Sequence, residues 1–266
     1  MMERDGSGEI TVCLSVDDGA EDSYTYIFPL LQKYGMPASF NIITDCVTGK
    51  MEMPDVGLKA MSREQLAEMA QSPLIEIACH GAEHTNETEG IRRGRRELLN
   101  MLGMPENTRI GFASPESRLD CRSVSAQQKE WEKTGFAYVR TGPRLRTLKL
   151  LRKAARRLSQ GFHPGWLYVF AYNDTLMEET ERFALSAVPV MHETTVSQVK
   201  ALIRHAEKAE KNVILMLHRV KETEEEMYGD PWTWDLGKME ELMQFLAEDQ
   251  KAGKLRVKTV KELAEE

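Results

Sequence analysis

Three times along this chain an apolar, β-prone run stops abruptly at residues that carry a charge or a metal-binding side chain. Ile10 to Val16 runs into Asp17-Asp18-Gly19, Leu74 to Ala78 into Cys79-His80-Gly81-Ala82-Glu83-His84, and Val213 to Leu217 into His218-Arg219. Short apolar runs of this kind fit strands covered on both faces, as in a parallel sheet. Between them the pattern turns helical. Asp22 or Ser23 opens a helix to about Tyr34, which Gly35 ends and Pro37 cannot continue. Ser62 with Gln65 makes a capping box, Ser123 to Thr134 and Thr195 to Glu210 read as helices, and Asp235 to Gln250 as another that Gly253 stops. Ala38 to Ile43, Arg109 to Ala113, Phe136 to Arg140, Leu185 to Met191 and Leu255 to Val257 read as further strands, and Trp166 to Ala171 as one more. Alternation of this sort predicts mainly parallel strands with helices outside. Neither a repeat nor a linker divides residues 1–266, so one barrel-like domain is expected.

Composition narrows the class. At 266 residues, 41% hydrophobic and 29% charged, the chain has the make-up of a globular protein with a full core. No window approaches the roughly 18 unbroken apolar residues of a membrane span. The charged start, MMERDGSGE, lacks the apolar centre of a signal peptide, which gives an expectation of cytoplasmic residence. Cys13, Cys46, Cys79 and Cys121 are scattered without a C-x-x-C pair, as reduced thiols would be. A net charge of −7 argues against nucleic acid as a general partner.

In parallel α/β folds the carboxyl ends of the strands collect the reactive groups, so the three strand-end clusters are expected to form one site. Each has a blander reading alone. Asp-Asp-Gly is commonly a solvated turn, two histidines four apart are commonly surface residues, and a lone histidine is commonly structural. Together they gain weight. Two adjacent carboxylates repel, and a divalent cation relieves that repulsion. Neutral imidazoles suit zinc and its first-row neighbours. His218, titrating near neutrality, suits acid–base work. The second cluster also spells H-x-x-E-H, with Glu83 as the base of a metallopeptidase. That reading needs a helix through both histidines, which Pro73 and Gly81 oppose.

In the order and spacing of its motifs the chain resembles the polysaccharide deacetylase family. Ser15-Val16-Asp17-Asp18-Gly19 resembles its T-F-D-D-G, Leu31 to Phe40 the passage after it, Glu76 to His84 its H-x3-H motif, Leu217-His218 its late leucine–histidine pair, and Gly253 to Glu262 its ending. The resemblance implies a distorted (β/α) barrel that takes a divalent metal, expected to be zinc. It implies Asp18, His80 and His84 as ligands, Asp17 as catalytic base and His218 as catalytic acid. The expected reaction is hydrolysis of an N-acyl amide on an oligosaccharide or related small molecule. One stretch departs from the pattern. Ile110 to Ser117 stands in place of R-x-P-[YW]-G, with Ala113 where an arginine usually holds the base and Glu116 where an aromatic is usual. Ser114, Pro115 and Glu116 are then expected to face substrate, and Arg118 is a candidate to pair with Asp17. The departure keeps a non-catalytic carbohydrate- or metal-binding relative as the alternative.

One segment falls outside this scheme. Arg144 to Arg157 holds seven basic residues and no acidic one, so the remainder of the chain carries −14. With Leu145, Leu148, Leu151 and Leu158 at near-helical spacing, it predicts a basic helical insertion near 144–160. Such a helix either packs on the barrel with a solvated face or serves as a lid or docking surface for an anionic substrate, a membrane face or an acidic partner, and the acidic Glu222 to Glu226 is a candidate to meet it within the molecule. Trp232 and Trp234 are candidates to stack on a sugar or to pack in the core.

Overall fold

The computed structural model describes residues 9–55, 57–178, 180–222 and 230–266. The strands are β1 (Ile10–Val16), β2 (Ala38–Ile42), β3 (Ile75–Cys79), β4 (Ile110–Ala113), β5 (Phe136–Thr141), β6 (Leu185–Ser186), β7 (Val188–Pro189), β8 (Val213–Leu217), β9 (Arg219–Lys221), β10 (Thr233–Asp235) and β11 (Leu255–Lys258). The main sheet runs β6-β5-β4-β3-β2-β1-β8-β7, with every pairing parallel. β6 and β7 are two halves of one extended stretch interrupted at Ala187. The first half pairs with β5 and the second with β8, so the sheet comes round into a nearly closed barrel. β1 is the pivot. β8 lines one edge, while β11 takes the first half of the other edge and β2 the second half.

Both faces of β1 are buried, which is why its sequence is an apolar run rather than an alternation. Its outward residues meet a helical layer. Helix Val196–Lys208 buries Val199, Leu202, Ile203 and Ala206, and helix Leu236–Lys251 buries Met239, Leu242, Met243 and Leu246, each the inner stripe of a 3.6-residue period. The predicted capping boxes are present at Ser62–Gln65 and Thr195–Gln198, and Gly35 and Gly253 take the left-handed conformation expected of helix stops. Glu76, the one charged residue inside β3, accepts hydrogen bonds from Ser39 Oγ at 2.5 Å and Lys261 N at 3.0 Å. The terminal helix, Val260–Ala264, thereby closes the end of the barrel away from the polar clusters.

Four expectations are corrected. Trp166 to Ala171 is not a strand but part of helix Gly165–Tyr172, since a short apolar run after a proline fits either state and packing between helices Lys149–Phe162 and Val196–Lys208 decides it. Leu185 to Met191 is broken at Ala187, and Ser123 to Thr134 is two helices, Cys121–Ala126 and Gln128–Lys133, that meet at Gln127. The basic segment becomes helical only at Lys149, because the Asp174 carboxylate accepts from the amides of Arg146 and Thr147 and holds them off the helix. Of the acidic run Glu222 to Glu226, residues 223–226 lie outside the described residues, as does most of the charged start. All four cysteines are free, and among the described residues no helix is long and apolar enough to cross a membrane.

Candidate active site

The three polar clusters meet at the carboxyl ends of the barrel strands. Asp17 follows β1, its amide donating to the Leu217 carbonyl of β8 at 2.9 Å. Asp18 then takes φ 76° and Gly19 φ 77°, a left-handed step that turns the chain off the barrel rim. A Cβ at Gly19 would stand 3.0 Å from Ile42 Cδ1 and would hold the disfavoured φ, so glycine answers both demands. After β3, Gly81 at φ 81° allows a turn so tight that a Cβ there would meet the Thr85 carbonyl oxygen at 2.9 Å. This turn brings His84 back beside His80, their ring centroids 5.1 Å apart. Residues 80–84 are not helical, and Glu83 points outward to Arg93, so the H-x-x-E-H peptidase geometry is absent.

Asp18 Oδ1 lies 3.4 Å from His80 Nε2 and 3.6 Å from His84 Nε2. The three donor atoms fall within 4.8 Å of one another. His80 Nδ1 is 2.9 Å from the Ala113 carbonyl, which only accepts, so Nδ1 carries a proton and, in the neutral ring, Nε2 is the nitrogen left to face the cluster as a ligand. Asp18 Oδ1 is buried without a hydrogen-bond partner. An orphaned carboxylate oxygen facing two imidazole nitrogens fits a divalent cation. Zinc bonds of about 2.0–2.1 Å in a tetrahedron place ligand atoms about 3.3 Å apart. Burial pushes the Asp18 carboxyl up, yet His80 against it and the charges of His218 and His84 outweigh burial and hold it well below the carboxylate range. For His80, burial pushes down, and the charges of Asp17 and Asp18 prevail to raise it. His84 is lowered by burial and by His80.

Asp17 is held by another set of residues. Arg140 Nη2 lies 2.7 and 2.6 Å from its two carboxylate oxygens, and Asn41 Nδ2 donates to Oδ1 at 2.7 Å. Arg140 is fully buried on β5, and in the β4–β5 register its partner is Ala113. The cation missing from position 113 is thus supplied from the neighbouring strand. Arg118 does not fill that role. It is 72% exposed and pairs with Glu116 at 2.5 Å, because Ser114–Ser117 turns outward with Glu116 and Ser117 at positive φ. Neither Arg140 nor Asn41 was foreseen as a site residue. The signal for each was a polar side chain inside an otherwise apolar strand.

Asp17, Asp18, His80, His84 and His218 line a cavity of about 470 Å³, together with Ser114, Glu116 and Trp232. Ser114 Oγ is itself engaged, donating to Asn86 Oδ1 at 2.8 Å, and Pro115 is buried behind, its carbonyl accepting from Asn86 Nδ2. His218 Nε2 is 3.9 Å from Asp17 Oδ2, its Nδ1 is buried without a partner, and its ring packs on Trp232 at 4.3 Å. Burial lowers its pKa against the opposing charges of Asp18 and Asp17. Trp234 is a core residue, its Nε1 donating to the Thr194 carbonyl at 2.7 Å. His163 and His192 stand outside the cluster, His192 turned to the Thr233 carbonyl. A larger groove of about 970 Å³ joins the cavity at Ser117 and Pro143 and is bordered by Arg122, Arg144, Arg146, Lys149 and Lys153.

Fold and site together define a (β/α) barrel with a carboxylate–imidazole cluster at its carboxyl end. Residues 4–107, which hold the first two clusters, match the family model for polysaccharide deacetylase, and this bears out the resemblance carried by the motifs. The fold is similar to that of a putative polysaccharide deacetylase from Mycobacterium smegmatis, at 12% identity and a TM-score of 0.59 over 99% of this chain and 92% of that one. IcaB from Ammonifex degensii is 24% identical over 48% of this chain and 58% of its own, with a TM-score of 0.39. A family 4 acetyl xylan esterase from Clostridium thermocellum, solved with a cobalt ion, is 15% identical over 95% and 89%, with a TM-score of 0.46. The chain spans 55% to 64% of the length of the first four solved relatives. No curated protein matches it significantly.

Proposed function

We propose that this single domain, with its basic segment near 144–160 that is helical from Lys149, is a metal-dependent deacetylase that hydrolyses an N-acyl amide, an N-acetyl group above all, on a carbohydrate or related small molecule. The observation that carries the proposal is the convergence of Asp18 Oδ1, His80 Nε2 and His84 Nε2 beside a second carboxylate held by a buried arginine. Asp18, His80 and His84 would hold the cation, expected to be zinc. Bound there, it supplies Lewis acidity toward the acyl oxygen and lowers the pKa of water toward about 7.

The chain's own residues account for the proton movements. Asp17 accepts the proton of the attacking water, and Arg140 and Asn41 fix which way its oxygens face. His218, with Nε2 3.9 Å from Asp17 Oδ2, delivers a proton to the leaving nitrogen. Burial weakens the hold of His218 on that proton and so makes its cationic form a stronger acid. Trp232 keeps the ring in place by packing against it and walls off one side of the cavity. The products are a free amine and a small carboxylic acid. A non-catalytic binder has no need of Asp17 and His218, yet both face the cavity, and this favours the enzyme.

The test is metal content and acetate release from N-acetyl oligosaccharides by the full chain, beside Asp18→Asn. Stoichiometric metal and turnover in the parent, both lost in Asp18→Asn, are the expected results. A parent that binds no divalent cation at that position refutes the proposal.

A further inference from the structure

Helix Lys149–Phe162 has three faces. The inner one packs on the body through Arg152, Ala155 and Ser159: Arg152 pairs with Asp174 at 3.0 Å and covers the Phe170 ring, and the Ser159 carbonyl accepts from Gln198 Nε2 at 2.8 Å. A second face carries Lys149, Lys153 and Arg157 in one row, four residues apart. The third is apolar and open to solvent. Leu150 is 83% exposed, Phe162 78% and Trp166, just beyond the helix, 72%, with Leu148, Leu151 and Leu158 at least half exposed. Among the described residues, every large hydrophobic side chain left in the open belongs to this one segment. Exposed apolar side chains gathered on one segment in this way mark a binding surface.

We propose that this helix seats the protein on an anionic lipid bilayer. Leucine and phenylalanine on one face beside a row of lysine and arginine, with an exposed tryptophan just past the helix end, is the pattern of an interfacial helix, in which the apolar side chains enter the acyl boundary and the cations meet lipid phosphates. Charge fixes the orientation. With seven basic residues from Arg144 to Arg157 and −14 on the remainder, an anionic surface attracts this segment and repels the rest of the protein. The same charge disfavours a second copy as the occupant, since a two-fold contact through the patch sets the basic row of one protomer against that of the other. The patch is not a lid on the site, because none of its six apolar residues lines the cavity of Asp17 and His218.

The experiment is flotation of the 266-residue chain with phosphatidylcholine vesicles, with and without about 30% phosphatidylserine. Binding to the anionic vesicles that weakens as salt is raised is expected. Leu150→Ser/Phe162→Ser/Trp166→Ser should lower partitioning roughly 100-fold or more. Lys149→Gln/Lys153→Gln/Arg157→Gln should lower it about 10-fold or more on anionic vesicles and remove the salt dependence. All six side chains are exposed, so both variants should keep the parent's thermal midpoint. A readout that needs no polar substitution is the emission of Trp166, taken as the difference from Trp166→Phe, which should shift to the blue on anionic vesicles. The proposal is overturned if the parent does not float, if floating survives the serine variant, or if the parent is a dimer in lipid-free solution that the serine variant separates.

Discussion

Arg140 and Arg118 sit one strand apart, and each follows an apolar stretch that ends near Asp17, yet they occupy opposite environments. Arg140 is fully buried and lies 2.6 Å from the Asp17 carboxylate, while Arg118 is 72% exposed and lies 2.5 Å from Glu116. Almost equal distances thus conceal unequal energetics. At the surface, water screens both charges, and an exposed pair contributes about 0–1 kcal/mol. Inside the barrel the same contact neutralises two ions that have lost their hydration, so removing one partner strands the other. Asp22 adds a third case. It is buried near the same strand end, but both its oxygens lack a hydrogen-bond partner and the ammonium of Lys221 stays 3.9 Å away. Burial pushes this carboxyl up to about 7, with Lys221 and Arg219 opposing.

The largest effect should come from the reactive end of the buried pair. Asp17→Asn removes the proposed proton acceptor and, on that proposal, should lower turnover by roughly 10² to 10⁴, with metal content nearly intact. Asparagine keeps one oxygen for Arg140 and Asn41, and circular dichroism would verify the fold. Equal metal loss in Asp17→Asn and Asp18→Asn would mean that the two carboxylates chelate jointly. Full activity in Asp17→Asn would remove it as the base and lift the binding-module reading.

Arg140→Met tests the structural end of that pair and should destabilise the protein by about 3–5 kcal/mol in a denaturant titration. Arg140→Met/Asp17→Asn should recover a good part of the loss, because neither charge is then left alone. If the double variant were no more stable than Arg140→Met, the cost would lie in packing around Met216, whose Sδ is 2.7 Å from Arg140 Nη1, and not in the stranded carboxylate.

These contrasts also show what the chain discloses before it folds. The strand ends were legible because a parallel barrel needs apolar runs buried on both faces, and polar residues can stand only where those runs stop. Asp17, Asp18, His80, His84 and His218 could therefore be located from sequence. Arg140 was not, because its partner is 123 positions away, and only the register of β4 and β5 puts it beside Ala113. Arg118 is near in sequence to Ala113, which makes it a candidate on sequence alone, whereas the left-handed turns at Glu116 and Ser117 send it outward. Helix Gly165–Tyr172 is not legible in the sequence for a related reason: its apolar run fits a buried strand or a helix packed on both sides, and only tertiary contacts decide between them.

Asp22→Asn should move stability in the opposite direction. Its folded pKa of about 7 lies above the unfolded value of 3.8, so the native state binds the extra proton and stability falls as pH rises between the two. An amide never bears that cost. Thermal or urea unfolding should show Asp22→Asn more stable by about 1–3 kcal/mol at pH 8. The gain should shrink through neutrality and vanish below about pH 4, where both states are protonated. A gain independent of pH would assign it to local packing.

The smallest effect belongs to Arg118→Gln. Its ion pair with Glu116 is exposed on both sides, so the change should alter stability by less than about 0.5 kcal/mol. Raised salt should erase even that difference, since the Debye length at about 0.15 M is only about 8 Å. Turnover is the more informative measurement, because Glu116 lines the cavity while Arg118 does not. If the pair is only a solvated contact, kcat and KM for a neutral N-acetyl substrate should stay within about twofold of the parent, a difference of about 0.4 kcal/mol. A rise in KM beyond that, with kcat unchanged, would mean that Arg118 holds the Glu116 carboxylate over the substrate. The exposed arginine would then act at the mouth of the site as a positioning residue, and the contrast with Arg140 would be one of task as well as of burial.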